Sequence, residues 1–185
     1  MVVISGPSGV GKGTLVGRIL DRVPNIFLSI SATTRTPRAG EVDGANYHFL
    51  TTEVFEKSIR NDDLLEWANI YGDLYGTPKA PIVQALTEGR TAILEIDVQG
   101  AIQVRKKLGS QADYVSIMPP SVEELARRLG DRKTETEEAQ KKRMDVAAQE
   151  IALADSYDYV IINDDLEQAT SELETFLRNL SNTEK

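Results

Sequence analysis

The feature that most restricts the fold of this chain is a glycine-rich segment, GPSGVGK at residues 6–12. The apolar run at residues 2–4 predicts a buried strand before it, and helical spacing follows it. Glycines at this spacing let backbone N–H groups converge on phosphate oxygens, and Lys12 reaches the transferring phosphates. The segment therefore predicts a nucleoside triphosphate site. The alternative is a tight strand-to-helix turn that binds no ligand.

Short apolar runs alternate with segments of helical spacing along the chain. The runs lie at residues 2–4, 27–30, 92–96, 114–117 and 159–162. Such runs predict buried parallel strands, because a strand covered on both faces is apolar on both faces. Together with the loop, the alternation predicts an α/β fold of the P-loop NTPase type. We expect a parallel sheet core with helices on both faces and ligands at the carboxyl ends of the strands.

Two regions interrupt this alternation. Residues 32–88 begin with a turn-rich stretch and predict an inserted substrate-binding subdomain. Residues 130–143 are polar and highly charged, which favours an exposed lid over the site. We therefore expect a single domain over residues 1–185. Its core segments are 1–31, 89–129 and 144–185.

Local signals predict the ends of some elements and the place of one aromatic side chain. Ser121 and Glu124 have the spacing of a capping box at a helix start. Thr77 before Pro78 predicts a cap followed by a helix-starting proline. We expect Trp67 in the core.

Composition excludes several classes of function. With 29 acidic and 21 basic side chains, the net charge of −8 disfavours a polynucleotide partner. The absence of cysteine and the presence of one histidine, His48, leave too few side chains for a zinc site built from imidazole or thiolate ligands. No apolar run approaches the roughly 20 residues that a membrane span needs. We expect no membrane partner and a cytoplasmic protein that is a monomer or a homodimer.

Six further sequence blocks lie in order outside the loop. They are SATTRTPRAGE (residues 31–41), GANY (44–47), LEWA (65–68), YGT (75–77), IDVQG (96–100) and VIIND (160–164). Together with the loop, they resemble the guanylate kinase family along nearly the whole chain. The resemblance implies an ATP:GMP phosphotransferase that also uses dGMP, requires Mg²⁺ and serves purine metabolism.

A second class of function remains open at this stage. A guanylate-kinase-like module without catalysis would use the GMP site to bind a phosphorylated protein. Such modules typically lack an intact phosphate loop, whereas Gly6, Gly11 and Lys12 are all present here. The loop therefore favours the enzyme.

The resemblance also implies which residues contact the acceptor nucleotide. The matching positions are Ser31, Arg35, Arg38, Tyr47, Glu66, Tyr75, Thr77 and Asp97. Arginine suits the GMP phosphate because its guanidinium group binds two phosphate oxygens at once. The Glu66 carboxylate suits guanine, whose N1–H and exocyclic amine are adjacent donors that adenine does not offer.

Donor and catalytic positions follow from the same resemblance. The implied ATP contacts are Gly6, Pro7, Ser8, Gly9, Val10, Gly11, Lys12, Gly13, Thr14 and Asn163. The implied catalytic cations are Lys12, Arg38, Arg128, Arg132 and Arg143, with the last three assigned to the lid. Gly13 stands where a magnesium-binding Ser or Thr is usual, so Thr14 and Glu95 are the predicted metal contacts, acting directly or through water.

Overall fold

Strand and helix alternate along the chain, as the hydrophobic pattern predicts. The computed structural model describes residues 1–70, 72–130, 150–151 and 157–183. The strands are β1 (Val2–Ser5), β2 (Ile26–Leu28), β3 (Ala32–Thr33), β4 (His48–Phe49), β5 (Leu64–Ile70), β6 (Asp73–Pro78), β7 (Thr91–Glu95), β8 (Asp113–Met118) and β9 (Tyr159–Ile162). The helices are α1 (Lys12–Arg22), α2 (Thr52–Arg60), α3 (Lys79–Thr87), α4 (Val98–Leu108), α5 (Val122–Gly130) and α6 (Leu166–Thr183). The predicted α/β class, with a parallel sheet and flanking helices, is confirmed.

The chain divides into two compact units. The first unit comprises Met1, Asn25–Leu94 and Gln99–Ala112. The second unit comprises Val2–Pro24, Glu95–Val98 and Asp113–Lys185. The glycine-rich loop therefore belongs to the second unit, and most of the predicted acceptor contacts belong to the first.

In the described part of the second unit, three strands run parallel to one another. β1 pairs with β8 from Val2 opposite Asp113, and β8 pairs with β9 from Val115 opposite Tyr159. All four residues of β1 are buried, which is why its sequence is almost continuously apolar. A continuously buried strand is a rigid support, and the glycine-rich loop starts directly at its carboxyl end.

Helix α6 covers this unit together with α1. Its buried residues Ala169, Leu173 and Leu177 recur at helical spacing and form one apolar face. At the exposed edge, Glu167 forms ion pairs with Arg18 and Arg22 of α1 at 2.8 and 2.6 Å. Among the described residues, no helix has the length and hydropathy to span a lipid bilayer.

The first unit contains a parallel pair and a mixed four-stranded sheet. β2 pairs with β7 in parallel, and the four-stranded sheet has the order β4-β3-β6-β5. In that sheet, β3 and β4 are parallel and the other two pairings are antiparallel. Phe55 of α2 packs with Ala32 and Leu64 to form the buried core beneath it. Strands β5 and β6 of this sheet carry three of the predicted acceptor residues, which are Glu66, Tyr75 and Thr77.

Of the local sequence predictions, one helix cap is confirmed, while the other cap and a core position are wrong. The cap at Ser121 is confirmed, because its hydroxyl accepts a hydrogen bond of 3.1 Å from the Glu124 N–H. The cap predicted at Thr77 is wrong: Pro78 precedes α3, and Thr77 lies in β6 with its hydroxyl bonded to Glu66. The core position expected for Trp67 is also wrong, since 40% of this side chain is exposed.

Candidate active site

The glycine-rich loop leaves β1 at Ser5 and enters α1 at Lys12. Two of its glycines are required by geometry. Gly6 has φ of 136°, and a Cβ there would stand 2.1 Å from the Ile117 carbonyl oxygen. Gly11 has φ of 95°, a conformation that residues with a Cβ rarely adopt. The loop therefore passes against β8 and turns sharply into α1. The N–H groups at a helix N-terminus have no partners within the helix and are able to bind an anion.

The side chain of Lys12 folds back along the loop. Its Nζ donates hydrogen bonds to the carbonyl oxygens of Gly6 at 2.6 Å and Pro7 at 3.0 Å. Burial lowers the pKa of Lys12 below its ordinary value, while three nearby carboxylates oppose this change. They belong to Glu95, Glu150 and Asp97. The ammonium group therefore lies inside the loop.

Glu150 approaches the loop from the far part of the sequence. Its carboxylate lies close enough to Lys12 and Asp97 for their charges to act on its pKa. Burial raises the pKa of Glu150 and Asp97 adds to this effect, while Lys12 and the Ser8 backbone oppose it. An acidic side chain distant in sequence therefore lies near the Lys12 ammonium group.

The predicted metal contacts lie at the start of α1. A Cβ on Gly13 would stand 3.4 Å from Oε1 of Glu95, so this carboxylate lies beside the position that usually carries a hydroxyl. Burial raises the pKa of Glu95, and Lys12 partly opposes the change. Thr14 is exposed in the first turn.

Magnesium that is bound with a nucleotide needs few protein ligands, because phosphates and water supply the other oxygens. Among the described residues, no group of three or more His, Cys, Asp or Glu side chains is placed to hold a metal ion. A single carboxylate such as Glu95 beside a triphosphate fits this mode of binding.

Asn163 and Arg128 meet at the end of the loop. The Asn163 side chain donates a hydrogen bond of 2.7 Å to the Val10 carbonyl oxygen. Arg128 donates from Nη1 to the Asn163 carbonyl oxygen at 3.0 Å and from Nε to Glu124 at 2.8 Å. Arg128 belongs to α5 and precedes the segment 130–143, which the sequence predicts to be the lid. Arg132 and Arg143 lie outside the described residues.

The first unit holds the predicted contacts for the acceptor phosphate. Arg35 donates from Nε to the Tyr75 hydroxyl at 3.1 Å, and its guanidinium carbon lies 5.5 Å from the centre of the Tyr47 ring. Nη1 donates to the Thr36 carbonyl oxygen at 2.7 Å, and Nη2 donates to Glu41 at 2.9 Å. The guanidinium group is therefore held by partners on several sides.

Arg38 is linked to this cluster through Glu41. The second carboxylate oxygen of Glu41 accepts a hydrogen bond of 2.7 Å from the Arg38 backbone N–H. Glu41 thus connects the Arg35 guanidinium with the exposed turn that carries Arg38. The pKa of Glu41 is lowered, first by the hydrogen bond from Arg35 and then by the one from Arg38.

The predicted guanine contact is buried. Only 4% of Glu66 is exposed, and its Oε1 accepts a hydrogen bond of 2.6 Å from the fully buried hydroxyl of Thr77. Ser31 is half-buried, and its carbonyl oxygen accepts from the His48 N–H at 2.9 Å. Asp97 instead belongs to the second unit, where its charge acts on Lys12.

Two acidic residues to which the sequence pattern assigned no function lie in these clusters. Glu41 stands within the matching block at residues 31–41, and its separation of three residues from Arg38 is the signal that could have found it. Glu150 has no comparable local signal, because its charge acts on Lys12, which is far away in the sequence.

Comparison with known proteins decides the family. A family model described as guanylate kinase matches residues 1–180. The chain belongs to the guanylate kinase family. A guanylate kinase of Carboxydothermus hydrogenoformans is 54% identical over 177 residues, covering 96% of this chain and 86% of that protein. A guanylate kinase of Synechococcus elongatus is 53% identical over 174 residues, covering 94% of each chain.

A solved structure from the guanylate kinase family has the same fold. The crystal structure of guanylate kinase from Anaplasma phagocytophilum superimposes with a TM-score of 0.81 at 34% sequence identity. The match covers 97% of this chain and 84% of that one. The family resemblance predicted from the sequence blocks is therefore confirmed over nearly the full length.

Proposed function

We propose that this chain transfers the γ-phosphoryl group of ATP to GMP, forming ADP and GDP, and that it accepts dGMP as well. The reaction would supply guanine nucleotides in purine metabolism. The observation that carries the choice of GMP is the buried carboxylate of Glu66, held by Thr77 at 2.6 Å. A buried acceptor that pairs with two adjacent guanine donors would reject adenine, whose N1 lone pair would face the same oxygen.

The donor would bind to the second unit. The proposed contacts are Gly6, Pro7, Ser8, Gly9, Val10, Gly11, Lys12, Gly13, Thr14 and Asn163. Loop N–H groups would bind the phosphate oxygens, because the loop leads into the N-terminus of α1. Lys12 would leave its two carbonyl partners and bind the phosphates instead. An ammonium group forms stronger hydrogen bonds with charged phosphate oxygens than with neutral carbonyl oxygens.

The acceptor phosphate would bind to the arginine and tyrosine cluster. Arg35, Arg38, Tyr47 and Tyr75 are the proposed contacts. The guanidinium of Arg35 has five N–H donors, and the contacts with Tyr75, Thr36 and Glu41 occupy three of them. The two others suit two phosphate oxygens. Ser31, Glu66, Thr77 and Asp97 are the proposed contacts of the base.

Transfer requires a phosphate oxygen of GMP to attack the γ-phosphorus in line, while the bond to the bridging oxygen breaks and ADP leaves. Lys12, Arg38, Arg128, Arg132 and Arg143 are the proposed cations that neutralise the charge in this transition state. Glu95 and Thr14 would hold Mg²⁺, directly or through water, and the ion would neutralise phosphate charge. The division into core, insertion (32–88) and lid (130–143) stays a prediction, as does a monomeric or homodimeric state.

The test compares acceptors at equal concentration with the purified chain. ADP formation from ATP is followed by a coupled assay with GMP, dGMP, AMP and UMP. We expect turnover with GMP and dGMP and little with AMP or UMP. The Lys12→Met variant, purified in parallel, controls for contaminating kinases.

Two results would contradict the proposal. Faster turnover with AMP than with GMP would refute the function assigned to Glu66. Binding of GMP without turnover of any acceptor would instead indicate the non-catalytic binding module.

A further inference from the structure

Asn163 is a buried polar residue that joins the end of one strand to the phosphate loop. It follows β9 directly, and only 5% of it is exposed. Its backbone N–H donates to the Met118 carbonyl oxygen at 2.7 Å, which fixes it at the end of β8. Its side-chain nitrogen donates to the Val10 carbonyl oxygen, also at 2.7 Å. One residue therefore ties the loop to the sheet.

Arg128 and Gly11 restrict Asn163 further. Arg128 donates a hydrogen bond of 3.0 Å to the Asn163 carbonyl oxygen, so α5 holds the residue from a third direction. A Cβ on Gly11 would stand 2.7 Å from the Asn163 side-chain nitrogen. The amide group therefore packs directly against the last glycine of the loop, and a larger residue at position 11 would displace it.

The bond to Val10 determines where a loop donor points. In a trans peptide the C=O of one residue and the N–H of the next lie in one plane and point in opposite directions. No peptide bond of the described chain is cis. By holding the Val10 carbonyl oxygen, Asn163 therefore directs the Gly11 N–H away from itself. Loop N–H groups of this kind are the donors that bind phosphate oxygens.

We propose that Asn163 is a positioning residue of the phosphate loop: its amide orients the peptide between Val10 and Gly11 for the donor's phosphates. This inference rests on the proposed function, since it assumes that the loop binds a triphosphate. It differs from a contact with the adenine base, because it acts on any ligand that carries the phosphates.

The test uses tripolyphosphate, a ligand with phosphates and no base, beside ATP. Binding of each to the full chain and to Asn163→Ala is measured by calorimetry. Loss of the orienting hydrogen bond should weaken binding of both ligands by about tenfold, the size expected for one buried hydrogen bond. The matched control is Gln103→Ala, which removes an amide-to-carbonyl bond of 2.7 Å to Trp67. It should leave tripolyphosphate affinity unchanged.

Each outcome decides the proposal. Weaker binding of ATP alone, with unchanged binding of tripolyphosphate, would show a base contact and overturn it. Binding of both ligands by Asn163→Ala with the affinities of the unsubstituted chain would overturn it too. If Asn163→Ala does not fold, Asn163→Ser is titrated instead. Loss of folding in both variants would overturn the proposal, because the hydrogen bond would then serve to stabilise the fold. Failure of the unsubstituted chain to bind either ligand would refute the proposed donor site itself.

Discussion

Replacing Glu66 by glutamine is the sharpest test of base recognition. The substitution keeps the size of the side chain and removes its charge. Glu66 is 4% exposed and accepts a hydrogen bond of 2.6 Å from Thr77. The Thr77 hydroxyl is able to donate to a glutamine oxygen as well. We therefore expect Glu66→Gln to fold, and we expect its effect on GMP to come from the lost charge.

The magnitude follows from the number of charged hydrogen bonds. Guanine would donate two of them to the carboxylate, and each is worth about 1.5–3 kcal/mol. Glutamine keeps one acceptor oxygen and directs its own N–H₂ toward the other guanine donor. Loss of one charged bond corresponds to about 10- to 150-fold weaker GMP binding.

Calorimetry with GMP, IMP and AMP measures this effect. IMP lacks the exocyclic amine, so the original chain should prefer GMP to IMP and Glu66→Gln should reduce that preference. The control is Glu56→Gln, because Glu56 is an exposed carboxylate whose contact with Arg60 spans 3.8 Å. We expect that control to bind GMP normally.

Unchanged GMP affinity in a folded Glu66→Gln chain would refute the reasoning. An equal loss of affinity for GMP and AMP would also contradict it, since a general disturbance of the site would then explain the result.

Three further predictions concern catalysis, pH and packing. Lys12→Met should lower kcat by about 10³-fold in a folded chain, because a part-buried cation at the proposed phosphate site is lost. Lys57→Met on the exposed face of α2 should leave turnover unchanged in the same assay. Hydrogen bonds from Arg127 and Arg128 hold the pKa of Glu124 at about 2, so its contribution to stability is present above the ordinary pKa of 4.5 and is lost as pH falls toward 2. Urea midpoints of Glu124→Gln and the original chain should therefore differ at pH 6 and converge near pH 2, and a constant difference would contradict this. Gly76→Ala should lower the free energy of unfolding by about 1–3 kcal/mol, since its Cβ would stand 2.9 Å from the Glu66 carbonyl oxygen and 3.0 Å from Phe55; an unchanged urea midpoint would contradict it.

Elements that depend on local pattern were predicted well from the sequence. The five apolar runs correspond to β1, β2, β7, β8 and β9, with ends that differ by at most two residues. Helix α5 begins after the predicted cap at Ser121. These signals are local because side-chain periodicity and capping bonds involve residues a few positions apart.

Two predictions failed because the surroundings of a side chain in the fold were not visible in the sequence. Thr77 was expected to cap α3, but the buried carboxylate of Glu66 takes its hydroxyl. Trp67 was expected in the core, but neighbouring residues of a strand point to opposite faces. Only 4% of Glu66 and 5% of Ala68 are exposed, so Trp67 between them faces outward. Aromatic character alone did not show which face of β5 is buried.

The sequence by itself determined the α/β class, the family and the position of the glycine-rich loop. Glycine spacing, apolar runs and motif order are properties of neighbouring residues, so they are visible before folding. Only the tertiary structure showed that Asn163 holds the loop across 153 positions and that Glu150 lies near Lys12. The physical reason is that a hydrogen bond needs its two atoms within about 3 Å. For residues distant in sequence, packing of the whole chain decides which atoms meet.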